Sequence, residues 1–505
     1  MYYAQTGYGK TRNPKGKDYM SNKNKPFYRD VRREAHDFES REDFLHHDLK
    51  IMSFRRWGVH LPFRDYSIEI EDWVPALAAT IGKVVMVTAM VAVFATQFGL
   101  SPEFVAENVR YELLIAGALF VILFSAILNP NANLAGTHGP MIPLIPLIAS
   151  AGGHPLALGV MVCAFGLILA YTKGGSKLMT LTGVGVRGGL LIYLGAVGLL
   201  SQINRTEAWA ASTDQGYIAF VVIGITVLVY AYLAKVNKRW LSIPLCSLIA
   251  GIVAYVLGAD FAFTTEPGLP HFSPFYWWGE DTGWQLGWPN LAHFVAVTPF
   301  ALLAVAMWSP DYLGHRVFQE LNYPKDAKGV LMDVDDTMIV ASIRQGIGSL
   351  LGGGNLASSW GTYMIPAAIA KRPIPGGALL TGFLCILASV IGYPMDLAMW
   401  EPVLRIALIV GVFLPLLEAG MQMIQKQKDA LSAGICIFAC AFVNPVFGWA
   451  TTMLLDNMGL IGDHERAGTL SFKDKFLIPA TAFIVCVGSL AAVGQLPGIP
   501  ALIGN

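Results

Sequence analysis

Charge is scarce in this sequence. Asp, Glu, Lys and Arg make up 14% of its 505 residues, while 54% are hydrophobic; soluble domains average about a quarter charged. With a mean hydropathy of +0.51 and apolar stretches recurring along most of its length, the chain reads as a polytopic membrane protein. Net charge is also lacking, because 35 basic residues balance 35 acidic ones, so the overall balance points to no acidic partner. Cysteines number six, and Cys163, Cys246, Cys385, Cys436, Cys440 and Cys486 all fall in apolar segments. Without metal-ligand spacing or paired extracellular positions they argue against a disulfide framework or a zinc site, and for reduced, packed thiols. Enzyme motifs are missing as well: there is no G-x-S-x-G, no H-E-x-x-H and no Walker loop, and Gly-Gly-Ser-Lys at 174–177 lacks the preceding strand. No catalytic residue, cofactor or metal is therefore expected, and any transport must be driven by gradients.

Polar sequence fills residues 1–71, with Phe-Arg-Arg-Trp-Gly-Val-His-Leu-Pro-Phe-Arg-Asp at its end. It has no short apolar core with a small-residue cleavage site, so it is expected to be a disordered or surface-lying cytoplasmic tail, not a signal peptide. Its basic patches read as membrane-proximal charge, and nucleic acid is not an expected partner. From Asp72 onward, apolar segments able to cross about 30 Å of hydrocarbon fall at 73–99, 109–128, 134–151, 156–172, 184–202, 216–235 and 241–258. After a loop over 259–291 they resume at 292–313, 336–352, 355–370, 377–394, 402–424, 430–446 and 476–497. These are fourteen spans, all helical because isolated strands leave backbone groups unsatisfied in lipid; 447–462 is a candidate for a further short or re-entrant piece.

Basic residues set the orientation. Ala-Lys-Val-Asn-Lys-Arg-Trp at 234–240, Lys-Arg-Pro at 371–373 and Gln-Lys-Gln-Lys-Asp at 425–429 are positive and hence cytoplasmic, whereas residues 260–290 contain no Lys or Arg. Both termini are then expected inside, in a cytoplasmic (inner) membrane. Residues 463–475 conflict with this count, since they should be external yet carry four basic side chains. If 447–462 crosses, the C-terminus moves outside.

Two interrupted segments carry the functional argument. Asn-Leu-Ala-Gly-Thr-His-Gly-Pro-Met-Ile-Pro-Leu-Ile-Pro-Leu-Ile at 133–148 opens with small and polar residues and then becomes apolar with repeated prolines. Residues 348–377 do the same: glycines, then Asn355, Ser358, Ser359 and Trp360, then a short apolar run ending at prolines. The breaks fall in the third and tenth spans, seven apart, which is the pattern of an inverted-repeat transporter. A helix starting at mid-membrane exposes unpaired N–H groups and its positive dipole end, so two such starts facing each other suit an anion or a ligand with several acceptors. A pair of ordinary kinked helices is the plainer alternative, since Gly and Pro are common in membrane spans.

These segments resemble the seven-plus-seven inverted-repeat superfamily of nucleobase and ascorbate carriers and sulfate-permease-like anion transporters. The likeness runs over nearly everything after residue 72. Residues 136–148 are similar to the third segment of that superfamily, and 306–319, with Asp311 three before Gly314-His315, to the eighth segment of the nucleobase carriers. Residues 333–353 resemble the anion carriers, with Asp333, Asp335 and Gly348-Ser349 in register. The chain departs from both branches: Thr362 stands where nucleobase carriers have a second carboxylate, and the sequence ends at Asn505 without the large cytosolic domain of many sulfate-permease-like proteins. The resemblance implies repeats at 72–258 and 292–505, a core bundle of spans 1–4 and 8–11 around the substrate, a gate bundle of spans 5–7 and 12–14, and a homodimer.

Charges inside spans are costly and usually face protein or water. Lys83 lies near the middle of the first span and is read as a cation at the substrate or as a partner of Asp311, with a helix-packing ion pair as the alternative. Asp311, after Pro310, is either a helix cap or a substrate and proton-coupling carboxylate. His138 is either a donor to an anion and proton acceptor or a structural imidazole. Thr137, Gly139, Asn355, Ser358, Ser359 and Trp360 complete the expected substrate contacts. Arg344 is a secondary anion candidate or the structural partner of Asp335 or Asp336, and Glu418 a proton or packing site. The Asp333, Asp335 and Asp336 cluster complements a helix dipole and is not read as a metal site. The expected function is a secondary active transporter importing a small, organic anion with protons or sodium by alternating access. A nucleobase-like proton symporter is the alternative within transport, and an anion channel or a non-transporting membrane sensor the alternative of another class.

Overall fold

Helices dominate the computed structural model, which describes residues 27–133, 136–137, 139–213, 215–259, 267–279, 284, 286–352, 357–358, 361–392 and 400–503. Helix is what a chain in hydrocarbon must form to satisfy its backbone internally. Among the described residues, eight helices are long and apolar enough to cross a membrane, or nine if one sharply bent pair counts as a span. Several of the fourteen expected spans are too short, broken or charged to meet that length and composition test.

α1, Arg41–Ile51, precedes the first long helix, α2, Ile70–Phe98. Glu69 and Asp72 cap α2 reciprocally, and Gly99 ends it in the left-handed region at φ 66°. α3, Pro102–Leu114, continues through wider turns at Ile115–Leu119 and Val121–Leu128. β1, Gly136–Thr137, leads by a 3-10 turn at Gly139–Leu144 into α4, Ile145–Ser150. α5, Pro155–Tyr171, and α6, Gly174–Leu181, meet at 98°. α7, Val184–Ser212, α8, Tyr217–Lys235, and α9, Ser242–Val256, follow. The second half runs α10, Leu291–Asn322; α11, Val334–Leu351; β2, Ala357–Ser358; α12, Gly361–Ile369; and α13, Ile374–Ile391. α14, Glu401–Leu408, passes through Ile409–Phe413 into α15, Leu414–Met423, and α16, Gln427–Phe442, α17, Pro445–Met458, α18, His464–Thr469, and α19, Ile478–Ala492, complete the chain.

α5 packs on α10 and α11, while α2 packs on α12 and α13. α7 packs on α15, α16 and α17, and α9 on α8 and α14. Small residues make the tightest contacts possible, as expected where lipid supplies no hydrophobic drive between helices. A Cβ on Gly189 of α7 would stand 2.5 Å from the Ala433 carbonyl oxygen, and one on Gly195 would stand 2.7 Å from the Leu417 nitrogen.

Two expectations change at the ends of the chain. The polar tail is not loose from residue 27 onward: Tyr28, Leu49, Met52 and Tyr66 are buried against Tyr323, Val330 and Ala368. A fully buried arginine holds it there. Arg372, in the turn between α12 and α13, donates to Asp48 at 2.7 Å and to Asp72 at 3.0 Å and 3.1 Å. The second change concerns topology. Lys177 of α6 meets Asp474 at 2.6 Å, and Arg466 donates to the Thr180 carbonyl at 2.7 Å. Residues 463–475 therefore lie at the basic end of the bundle, where α5 finishes. Lys428 and Asp463 approach to 2.5 Å, so α16 and α17 form a hairpin that returns to that end, and α19 then runs to the opposite one. There Gln495 donates to the Ser150 carbonyl at 3.0 Å. The N-terminal segment and Gln495 thus lie toward opposite ends of the bundle, the arrangement stated above for the case in which 447–462 crosses.

Candidate functional site

The two interrupted segments meet. β1 and β2 pair antiparallel, with Gly136 opposite Ser358 and Thr137 opposite Ala357. Extended backbone at this depth needs a partner for its N–H and C=O groups, and each dipeptide provides the other's. A short helix follows each strand. α12, at nine residues, rises only about 14 Å, well short of the hydrocarbon thickness. The 3-10 turn and α4 after β1 start beside it and carry Pro140, Pro143 and Pro146, residues that suit the first turns of a helix, where no N–H partner is required. Thr137, Gly139 and Ser358 belong to this junction by their backbone. His138, Asn355, Ser359 and Trp360 lie outside the described residues.

α2 packs against β1 and brings Lys83, which is 5% exposed. Among the charges acting on Lys83 are those of Glu112 and Arg344. Arg344 pairs with Glu112 of α3 and donates to Gln345 Oε1 at 3.1 Å. Gln345 in turn donates to Ser349 Oγ at 3.2 Å. Tyr111 donates to the Gly348 carbonyl at 2.7 Å, fixing α3 against the last turn of α11 just before the chain passes to β2. The residues with buried charge here are thus two cations and one carboxylate from α2, α3 and α11.

Two expected readings change, and Glu418 takes the packing alternative of its two. Arg344 is the partner of neither Asp335 nor Asp336; Asp336 accepts from Arg56 of the N-terminal segment at 2.8 Å and from Asn129 at 2.8 Å. Asp311 caps no helix start, because α10 runs unbroken from Leu291 to Asn322 with Pro310 inside it. Its ion partner is His315, 3.7 Å away and one turn on, and not Lys83. Glu418 accepts from Arg239 at 2.9 Å and from Gln422 at 2.9 Å, an arrangement that packs α15 against the turn before α9.

Glu112 is the residue that sequence reading passed over. The available signal was a carboxylate a few residues inside the second apolar span, as expensive there as Lys83 is in the first. Buried polar atoms without a protein partner mark the same region among the described residues: Arg344 Nε, Tyr312 OH, His315 Nδ1 and both side-chain amide atoms of Asn133. Each such atom costs about 1–3 kcal/mol if nothing meets it. No group of three His, Cys, Asp or Glu side chains forms a metal site among the described residues.

A family model described as "Protein of unknown function (DUF3360)" matches residues 20–503. No curated protein matches the sequence. Similar solved structures include the murine Solute Carrier 26 family member A9 anion transporter in its inward-facing state, at 11% identity and a TM-score of 0.46, with 78% of this chain and 68% of that one covered. A further SLC26A9 structure has 10% identity, a TM-score of 0.48 and coverage of 77% and 65%. The transmembrane domain of a cyanobacterial bicarbonate transporter, BicA, has 15% identity, a TM-score of 0.46 and coverage of 84% and 98%.

Proposed function

We propose, starting from the fact that this chain belongs to the DUF3360 family of proteins of unknown function, that it is a secondary active transporter of a small anion. The observation that carries this reading is the pairing of Gly136–Thr137 with Ala357–Ser358 on the flank of the helix that bears Lys83. The substrate would lie where two half-helices begin, held by backbone N–H groups, by Thr137, His138, Gly139, Asn355, Ser358, Ser359 and Trp360, and by the cation Lys83. Two helix starts and an excess of buried positive charge stabilise an anion and repel a cation. Asp311, paired with His315, is the candidate for proton coupling outside the charge layer.

Helices α2–α5 and α10–α13 would form the core that carries the substrate, and α7–α9 with α14–α19 the gate against which it moves. The gate would also supply a homodimer contact in an inner membrane, with the basic end of the bundle cytoplasmic. Uptake by the purified protein in liposomes tests the reading: accumulation of nitrate, sulfate or a carboxylate should depend on a proton or sodium gradient. Flux of none of them, or flux indifferent to both gradients, refutes it. One observation favours a second reading, a nucleobase-like carrier: the Asp311 side chain is 36% exposed and free to accept from a ring. Thermal stabilisation by purines or pyrimidines but by no anion would select it.

A further inference from the structure

Counting charge in the buried layer leads beyond the identity of the substrate. Lys83, Glu112 and Arg344 are 5%, 3% and 4% exposed; they sum to one net positive charge when all are ionised. Arg344 and Glu112 neutralise each other, yet Arg344 Nε has no partner, so the guanidinium still has a donor to offer. Arg344 sits on α11 two turns before the chain leaves for β2, which puts it on the same strand–helix unit as Ser358.

Resting on the anion-transport reading above, and moving the proton role from Asp311 to the buried layer, we infer that Glu112 is the proton carrier of this site and that the Arg344–Glu112 pair is the coupling switch. With Glu112 ionised, Arg344 is engaged and Lys83 alone faces the substrate. A proton bound to Glu112 converts the carboxylate to a neutral acid, ends the ion pair and releases Arg344 to serve the anion as a second cation. The balance closes: the layer holds one net positive charge before loading, and one after a proton and a monoanion have both arrived. Loading therefore adds no net charge to the low-dielectric interior, whereas either partner alone would change it. That is the physical basis for obligatory proton–anion coupling, because an uncompensated buried charge costs several kcal/mol.

The groups around Glu112 support this assignment. Lys83 of α2 feels the charges of both Glu112 and Arg344, and Arg344 of α11 pairs with Glu112 directly. On its own helix Tyr111 is occupied by Gly348, while Glu107 and Arg110 pair with each other at 3.3 Å one turn earlier. Among these groups Glu112 is the carboxylate paired with Arg344.

Nitrate, sulfate and methanesulfonate keep their charge across the working range and serve as probes. Their affinity for the full-length protein is measured between about pH 5 and pH 9. For the wild type, proton–anion linkage requires affinity to fall by up to about tenfold per pH unit as pH rises. Glu112→Gln, a permanent mimic of the loaded acid, should bind with pH-independent affinity and catalyse exchange without proton-driven accumulation. A pH slope that persists in Glu112→Gln, or one lost only in Lys83→Gln, overturns the assignment. A second readout needs no ligand. The infrared difference spectrum between the pH extremes should contain a protonated-carboxyl band that disappears in Glu112→Gln, or shifts in Glu112→Asp if the amide variant does not fold. Absence of that band refutes the proton role whether or not an anion binds. If no probe binds while the band is present, it is the anion reading that fails.

Discussion

Replacing Arg372 with methionine should release the N-terminal segment from the helices it covers. Arg372, Asp48 and Asp72 are 0%, 1% and 0% exposed, and one guanidinium serves both carboxylates through three hydrogen bonds. The carboxylates have lesser partners: Asp48 accepts from Ser67 Oγ at 3.2 Å and from Tyr28, and Asp72 from the Glu69 amide at 2.8 Å. Without Arg372 those contacts must hold two buried negative charges side by side. Removing one partner of a buried pair costs about 3–5 kcal/mol, and because two anions are orphaned here we expect the upper part of that range. The cost is local if the segment can lift away and hydrate Asp48. Amide hydrogen exchange over α1 should then accelerate by roughly a thousandfold, at about 1.4 kcal/mol per factor of ten, with less change in α5 or α11. Arg372→Lys should recover part of the protection, since it restores charge but not the forked geometry. The triple variant Asp48→Asn, Asp72→Asn, Arg372→Met should lie close to wild type, because a buried ionic cluster exchanged for neutral groups is often nearly neutral in stability. Unchanged exchange over α1 in Arg372→Met, or a triple variant as damaged as the single one, would refute the reasoning.

Other consequences concern the site, the helix interface and the far end of the bundle. Lys83→Gln should weaken anion binding by about 10–100-fold, the worth of one hydrogen bond to a charged group, as read by titration with the probe anions; unchanged affinity would remove Lys83 from the site. Gly189→Leu should lower the melting temperature through at least about 1–3 kcal/mol of overpacking, because the obstacle is the Ala433 backbone, whereas Gly216→Ala, with nothing within 4 Å of the added carbon, should melt like wild type. Burial pushes the His154 imidazole down to about 4, and the neutral ring caps α5 by accepting from the Leu156 amide at 3.1 Å while its other nitrogen meets the Gly287 carbonyl at 3.0 Å. Since the folded value lies below the unfolded one of about 6.5, this stabilisation is complete above that pH and is lost as pH falls toward the folded value, at most about 3 kcal/mol. His154→Asn, which keeps an N-cap acceptor, should abolish the corresponding fall in α5 protection between neutral and acid conditions.

The parts of this molecule legible from sequence are those whose cause is local. Gly, Thr, Ser and Pro at 133–148 and 348–377 break helices wherever they stand, and the pairing of Gly136 with Ser358 follows the symmetry of the two breaks. Long-range electrostatics was not legible. Arg344 meets Glu112 across 232 positions, and Arg372 meets Asp48 across 324; nothing near either arginine in sequence selects those partners over Asp335 or Asp336. The polar tail takes the surface-lying alternative of its two, and its composition does not reveal the buried Arg372 that helps to hold it there. α17 is different. Asn444 accepting from the Phe447 amide at 3.0 Å, Pro445 in the first turn and Gly459 in the left-handed region are ordinary helix-boundary signals, so a helix over this stretch was legible.

Where the ion pairs fall bears on the proposed movement. Among the described residues, they divide between two groups of elements. The N-terminal segment pairs with itself, with α2, or with Asp326, Asp336, Lys371 and Arg372, all on or beside α10–α13. Arg344 meets Glu112, and Arg316 meets Glu320, inside the same group. In the other group Arg239 meets Glu418, Arg405 meets Glu401, Lys428 meets Asp463 and Arg466 meets Asp456. Lys177–Asp474 joins the two, and the Lys177 side chain is 45% exposed, so the bond is worth at most about 1 kcal/mol. α6, which carries Lys177, is itself the short helix set at 98° to α5, where a connection between two bodies would bend. A carrier that slides one bundle past another cannot afford buried pairs across the seam, since each would cost about 3–5 kcal/mol per cycle to break. Contacts there are instead helix faces such as α2 on α14 and α10 on α19, which can shift without stranding a charge. On this argument the N-terminal segment travels with the substrate-bearing group, and Arg372, Asp48 and Asp72 belong to the rigidity of the moving part, whereas α6 marks where the two parts articulate.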